Sequence, residues 1–407
     1  MIHAIASEIM PRKYRPYAQA ATAAAGGLGG LTGSLLGGGL VKHDPDNWRI
    51  YFYILTALYV VTATIVAFLY NPPPRELQLS LTQREKFARL DWIGYALYIP
   101  GIVLFGFALT SSTGVYPWKS DKVISTLVIG AVMLIAFILY EWLVINDGML
   151  HHDLFRNGRN FPIAFGAFFV EGIIFFATNV YYSFEGVAIY QRTLFLAGAF
   201  YGIGWSVEIV TTFLTGWYCS TTKTVRLPLI VAFCSFTTFC ALMASLEIDQ
   251  RSNMVGYIVF FGIAVGISLN CITTLAQLST PKEHISITTG LVIGVRSFGG
   301  TIGLSIYTAI FNGVQDKEIP KKVAKAVSSF GLSQVDVGQL VRGIETRNST
   351  LLKAIPGATN EVLGAARRGY LEGYSLAFRY VWIAATTFCA AIAIGKFHSC
   401  QLSRLTY

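Results

Sequence analysis

The feature that most constrains this chain is a succession of long apolar runs. They lie at Tyr17–Leu40, Trp48–Tyr70, Asp91–Ser111, Val123–Ile145 and Phe161–Tyr182. They continue at Leu194–Tyr218, Leu227–Leu246, Met254–Leu278, Ser286–Asn312 and Leu376–Lys396. About 20 apolar residues in a helix cross the roughly 30 Å hydrocarbon core of a bilayer. Barrel strands are shorter and alternate polar with apolar residues. These runs are apolar all round, so the expected fold is all-α, a polytopic membrane protein of about ten helices.

Composition agrees. Hydrophobic residues make up 54% of the chain and charged residues only 13%, about half the charged fraction of soluble domains. The net charge of +9 does not point to nucleic acid, because its distribution follows membrane topology. With the N-terminus in the cytoplasm, basic residues concentrate in inside segments such as Met1–Pro16, Asn71–Leu90, Asn146–Asn160 and Cys219–Arg226. That is the positive-inside pattern, and it places both termini in the cytoplasm. No secretory signal peptide is visible. The long polar segment Gly313–Ser375 then falls outside and carries the sequon at Asn348, a glycosylation acceptor on that side only. Within it, Lys321–Phe330 and Val335–Ile355 read as short amphipathic helices forming a small outer cap. The segment Asn71–Leu90, with Pro72-Pro73-Pro74, is the best internal boundary.

The first span is rich in glycine. Gly26, Gly30, Gly33 and Gly37 recur at or near four-residue spacing and predict a groove for close helix packing. Ionisable groups inside spans carry more information, since each is expensive in a bilayer. Glu171, Glu208 and Arg296 lie well inside their spans. Carboxyl groups stripped of water and lacking partners take up and release protons near neutral pH, the chemistry of proton coupling or substrate contact. The alternative is that Arg296 neutralises one of them. Asn179, Asn270 and Gln277 add polar groups, and Tyr182, Tyr201 and Trp205 are candidates to line an aromatic cavity. Asp91, Glu141 and Arg379 sit near span ends, where they can reach the interface.

Enzyme motifs are absent: no GxSxG, HExxH or GxxxxGK[ST] occurs. The adjacent His151-His152 and six scattered cysteines show no metal or disulfide spacing. No metal, no cofactor, no nucleic acid and no obligate protein partner are expected.

Several stretches resemble a known family. One is Gly290-Leu291-Val292-Ile293-Gly294-Val295-Arg296-Ser297-Phe298-Gly299-Gly300-Thr301-Ile302-Gly303, which looks like a penultimate span and adds Gly299, Gly300 and Gly303 to the packing glycines. Others are Arg89-Leu90-Asp91-Trp92-Ile93-Gly94, Ala276-Gln277-Leu278-Ser279-Thr280-Pro281 and Ala377-Phe378-Arg379-Tyr380-Val381-Trp382. Together they resemble the fungal trichothecene efflux pumps and siderophore-iron transporters of the major facilitator superfamily. The resemblance implies fourteen spans, in two six-helix halves with two helices between. The ten runs here align with spans five to fourteen, so the first four are expected to be missing. Gly33-Ser34-Leu35-Leu36-Gly37-Gly38 occupies the place of the antiporter motif, with Ser34 where the family usually has Pro.

On this reading residues 1–70 belong to the first half, 71–160 hold the loop and two linker spans, and 161–407 form the second half. The expected function is secondary transport: proton-coupled efflux of a small organic molecule such as a fungal toxin or drug. Siderophore-iron import and a non-transporting remnant are the alternatives. The expected location is the plasma membrane or a vesicle or vacuole membrane.

Overall fold

The structure is a computed structural model that describes residues 2–42, 44–70, 82–88, 90–112, 116–145, 148, 152–156, 159–190, 193–250, 252–281, 284–332, 334–346, 351–352 and 355–395. Asn348 lies outside the described residues. Among them there is no β-strand. The main helices are α1 (Ile2–Ile9), α2 (Arg15–Val41), α3 (Trp48–Leu69), α4 (Trp92–Ser111), α5 (Asp121–Leu143) and α6 (Asn160–Ala188). They continue with α7 (Leu194–Thr222), α8 (Arg226–Ala244), α9 (Asn253–Leu278), α10 (Ile285–Val327), α11 (Gln334–Glu345) and α12 (Asn360–Gly395). Among the described residues nine helices are long and apolar enough to cross a membrane. The tenth run forms the second part of α12. The chain is a multi-pass α-helical membrane protein.

Local chemistry marks several helix ends. The Asp91 carboxylate accepts from Gly94 N at 2.8 Å and starts α4. Thr193 Oγ1 accepts from Leu196 N at 3.2 Å and starts α7. Both satisfy amide donors that have no partner within their helix. Lys223, at φ 56°, turns the chain out of α7.

The core is built from α6, α7, α8, α9, α10 and α12. Phe168, Phe233, Phe236, Phe239, Phe261, Phe378 and Trp382 are fully buried there. Helix α2 packs along α7 and reaches α9, whereas α3 leans on α2 and buries none of its residues. Helices α4 and α5 pack on each other and touch the rest mainly through α10. Their outward faces carry Val128, Ile135, Ile138 and Leu139, all exposed in the protein alone. That suits a surface solvated by lipid tails.

The structure corrects one boundary. A span ending at Asn312, with a separate helix from Lys321, is expected from sequence; instead α10 runs 43 residues without interruption, through Pro320. Proline removes one backbone donor and crowds the preceding turn. Burial of Ile319, Val323 and Val327 beyond it offsets that cost. These residues pack with Val337, Leu340, Leu352, Ile355, Val362 and Ala366 in a second apolar cluster. The expected cap is therefore an extension of α10 and α12 bridged by α11. Gly331, at φ 70°, makes the turn that ends α10 and its short 3-10 extension.

Candidate functional site

Helices α2, α6, α7, α9 and α10 bring the charged span residues together near mid-length. Glu171 on α6 is fully buried. The Arg296 guanidinium on α10 donates to it twice, Nε to Oε2 at 2.5 Å and Nη2 to Oε1 at 3.0 Å. The guanidinium carbon also lies 4.1 Å from the centre of the Phe175 ring, a cation–π contact. The pair forms because α6 and α10 come very close. Gly172 faces the Arg296 carbonyl, Gly299 faces the Phe169 carbonyl, and Gly303 meets Ile173. Gly300 leaves room for the Phe176 ring. The expectation of two unpartnered acids therefore fails for Glu171, while Glu208 has no cation partner among the described residues.

Glu208 is 1% exposed. Tyr201, Trp205 and Glu208 follow at i, i+4 and i+7, so they share one stripe of α7. The Tyr201 and Trp205 rings lie 5.7 Å apart, and Trp205 meets Phe175 edge-on at 6.0 Å. Phe261 of α9 stacks on Phe175 at 6.2 Å and touches Tyr201 at 6.1 Å. An aromatic wall thus runs from the Glu171–Arg296 pair to the Glu208 stripe. Glu208 Oε2 and the Tyr201 hydroxyl are buried with no hydrogen-bond partner among the described residues.

Of the expected glycines of α2, Gly30 makes room for this stripe, together with Gly27 and Gly38. Gly27 faces the Glu208 carboxylate, Gly30 the Trp205 indole, and Gly38 the backbone at Phe195. Gly26 has open space, while Gly33 and Gly37 face Tyr51 of α3. Four-residue spacing fixes a face but not which neighbour it meets.

A cavity of about 350 Å³ opens above Tyr201. Ser34 of α2, Ser183, Phe184 and Val187 of α6, and Leu194, Ala197 and Gly198 of α7 complete its wall. It is apolar apart from the two serines and the tyrosine. Of the other cavity candidates, none lines it. Tyr182 is buried and donates to Met254 O at 3.1 Å. Asn179 bonds its own helix at Phe175 O, 2.8 Å. Asn270 is buried, and its Nδ2 donates to Thr212 O at 3.1 Å.

Gln277 sits at the far end of the bundle, in a buried polar network with α1. Ser7 Oγ donates to Gln277 Oε1. Gln19 Nε2 reaches Ser7 Oγ at 2.9 Å, Gln277 Oε1 at 3.1 Å and His3 O at 2.9 Å. Gln277 Nε2 donates to His3 O at 3.1 Å and to Thr289 Oγ1 at 3.0 Å. Ser7, Gln19 and Gln277 are all fully buried. Burial lowers the His3 pKa, opposed by the bond of its Nδ1 to Gln19 Oε1 at 2.6 Å. Among the described residues, no group of three or more His, Cys, Asp or Glu could hold a metal ion.

The family model of fungal trichothecene efflux pumps matches residues 22–401. The chain belongs to that family. A trichothecene efflux pump of Fusarium sporotrichioides is 24% identical over 349 residues, which are 83% of this chain and 57% of the relative. An MFS-type transporter of an Acremonium species is 27% identical over 405 residues, 94% of this chain and 62% of the relative. An MFS-type efflux pump of Trichophyton rubrum is 26% identical over 329 residues, 76% and 58% respectively. The chain thus spans somewhat over half the length of the curated relatives it matches. The trichothecene efflux pump family is one of transporters and not of enzymes.

Within this family member, sequence reasoning missed one buried acid. Glu185 is 2% exposed and accepts a 2.8 Å bond from Trp382 Nε1 of α12. The apolar run ends at Tyr182 in the sequence, but α6 continues to Ala188. The apolar residues Val187, Ala188 and Ile189 after the acid were the available signal. Trp382→Phe keeps the ring and deletes the donor. It should lower stability by about 1–3 kcal/mol, the cost of a buried group left unsatisfied, as read by thermal melting in detergent. Glu141, placed at an interface by sequence, is also buried, at 1% exposed.

Proposed function

We propose that the protein moves small, largely apolar organic molecules out across a membrane in exchange for protons, with Glu208 as the proton-carrying group. One observation carries the reading. Glu208 is a buried acid without a cation partner among the described residues, on the same helical stripe as the Tyr201 that lines the cavity. A carboxyl group with no ion-pair partner is free to take and give up a proton as its surroundings dry and wet. Glu171 is committed to Arg296 and suits a positioning role. The cavity's apolar wall fits an apolar solute, with Ser34, Ser183 and Tyr201 able to meet a few oxygen atoms on it. Relatives that include a trichothecene efflux pump and an aspyridones efflux protein support efflux of compounds of this kind.

The test is transport of a trichothecene into inside-out vesicles under an imposed pH gradient. Glu208→Gln preserves shape and removes the titrating group. Gradient-driven uptake should fall by about 10²–10⁴, the range by which a positioned proton-transfer group speeds a reaction, while binding of the same compound persists. Undiminished uptake sinks the assignment of Glu208.

A further inference from the structure

The α1 network and the cavity lie at opposite ends of the same helices. On α2, Gln19 joins the network, Gly27 faces Glu208 and Ser34 lines the cavity. Gln19 and Ser34 are about 22 Å apart at 1.5 Å per residue, most of a bilayer core. On α7 the order is reversed: Tyr201 at the cavity, Glu208 midway, and Ser220 at the other end. There Ser220 Oγ donates to Lys13 O at 3.0 Å, fixing the segment between α1 and α2. Helix α2 is thus sewn to α9 and α10 at the Gln19 end. At the Ser34 end it stands off α6 across the cavity.

Much of this sewing goes through α1. Ser7 and the His3 carbonyl each bridge the Gln19 and Gln277 amides, which also meet directly at 3.1 Å, and Gln277 passes the contact on to Thr289 of α10. Polar groups buried this completely are held in place only while every donor meets an acceptor. Removing one partner strands the others and favours an arrangement in which water reaches them. A network of this kind has two favourable states, bonded and dry or separated and wet, and little between.

We infer that α1 is a latch. Its hydrogen bonds to Gln19 and Gln277 hold the bundle shut at this end while the Ser34–Tyr201 cavity is open. Their release opens this end as the cavity closes. The inference rests on the transport reading of the same bundle and adds the element that decides which end is open.

The test uses the full chain in lipid nanodiscs, with native cysteines replaced by alanine and one reporter at a time. Ala23→Cys lies one turn beyond Gln19 on the same face of α2 and is buried, 3% exposed in the parent. Ser183→Cys reports on the cavity. Each is labelled with a soluble maleimide in the parent, in Gln19→Leu and in Ser7→Ala. Loss of the Ser7 or Gln19 hydrogen bonds should raise labelling at Ala23→Cys about tenfold and lower it at Ser183→Cys. Unchanged rates at both reporters in folded protein overturn the latch. So does a rise at both, which signifies general loosening. If Gln19→Leu does not fold, Ser7→Ala, which removes a single hydroxyl, decides alone. Labelling needs neither solute nor proton gradient, so its failure leaves the Glu208 reading standing, and failure of the Glu208 test leaves the labelling result intact.

Discussion

Arg296→Ala costs about 3–5 kcal/mol of stability, because it leaves the Glu171 carboxyl buried without its counter-charge. The geometry makes this one of the largest effects available in the molecule. Both carboxylate oxygens are engaged, at 2.5 and 3.0 Å, and Glu171 has no access to water in the folded protein. The guanidinium also loses its seat on the Phe175 ring. A double variant, Glu171→Leu with Arg296→Met, removes both charges and keeps most of the volume. It should recover most of the loss, since a buried pair replaced by apolar groups is often neutral or stabilising. Thermal melting in detergent micelles reads both. If Arg296→Ala melts with the parent, or the double variant melts below the single one, the pair does not carry the structural weight assigned to it.

Gly299→Leu disrupts the bundle at the same place by a different route. Any side chain at 299 runs into the Phe169 carbonyl, which is backbone and cannot turn aside. Helix association in lipid draws on close packing of small residues rather than on expulsion of water. Overpacking costs about 1–3 kcal/mol in ordinary cores, and here the rotation of α10 away from α6 also pulls Arg296 from Glu171. Gly290 on the same helix supplies the control, since a methyl group there meets nothing within 4 Å. Gly290→Ala should be neutral or slightly stabilising, by up to about 1 kcal/mol, from helix propensity alone. Equal melting temperatures for the two variants contradict the close-approach account.

The spans were legible in sequence because hydropathy reports the solvent directly. Lipid demands an uninterrupted apolar run, and the described helices follow those runs closely. Less legible was anything that depends on which helix faces which. Glu171 and Arg296 are 125 residues apart, so their pairing could be named as an alternative but not chosen. Gln277 reads as one more polar group in a span, and only the fold shows that it belongs to the α1 network and not to the cavity. The α2 glycines mark a face correctly, while the neighbours of that face follow from the crossing of α2 with α7. Two helix boundaries differ from the sequence expectation for one reason. Glu185 and Pro320 are residues that ordinarily end a membrane helix, and each is carried onward by burial that a linear reading does not contain: Trp382 for the first, the second apolar cluster for the second.

The uninterrupted course of α10 has a mechanical consequence. Thr289 at the network, Arg296 beside Glu171 and Val323 in the cap all ride on one rod. From Thr289 to Val323 it measures about 51 Å at 1.5 Å per residue, well beyond the thickness of the hydrocarbon core. Pivoted near its middle, such a rod turns a 10° tilt into roughly 4–5 Å of travel at each end, in opposite directions. Whatever loosens one membrane surface is thereby registered at the other without any chain of intermediate contacts. The cap, far from the aromatic wall, becomes a place where a binding protein or an antibody could sense, or stall, the state of the bundle.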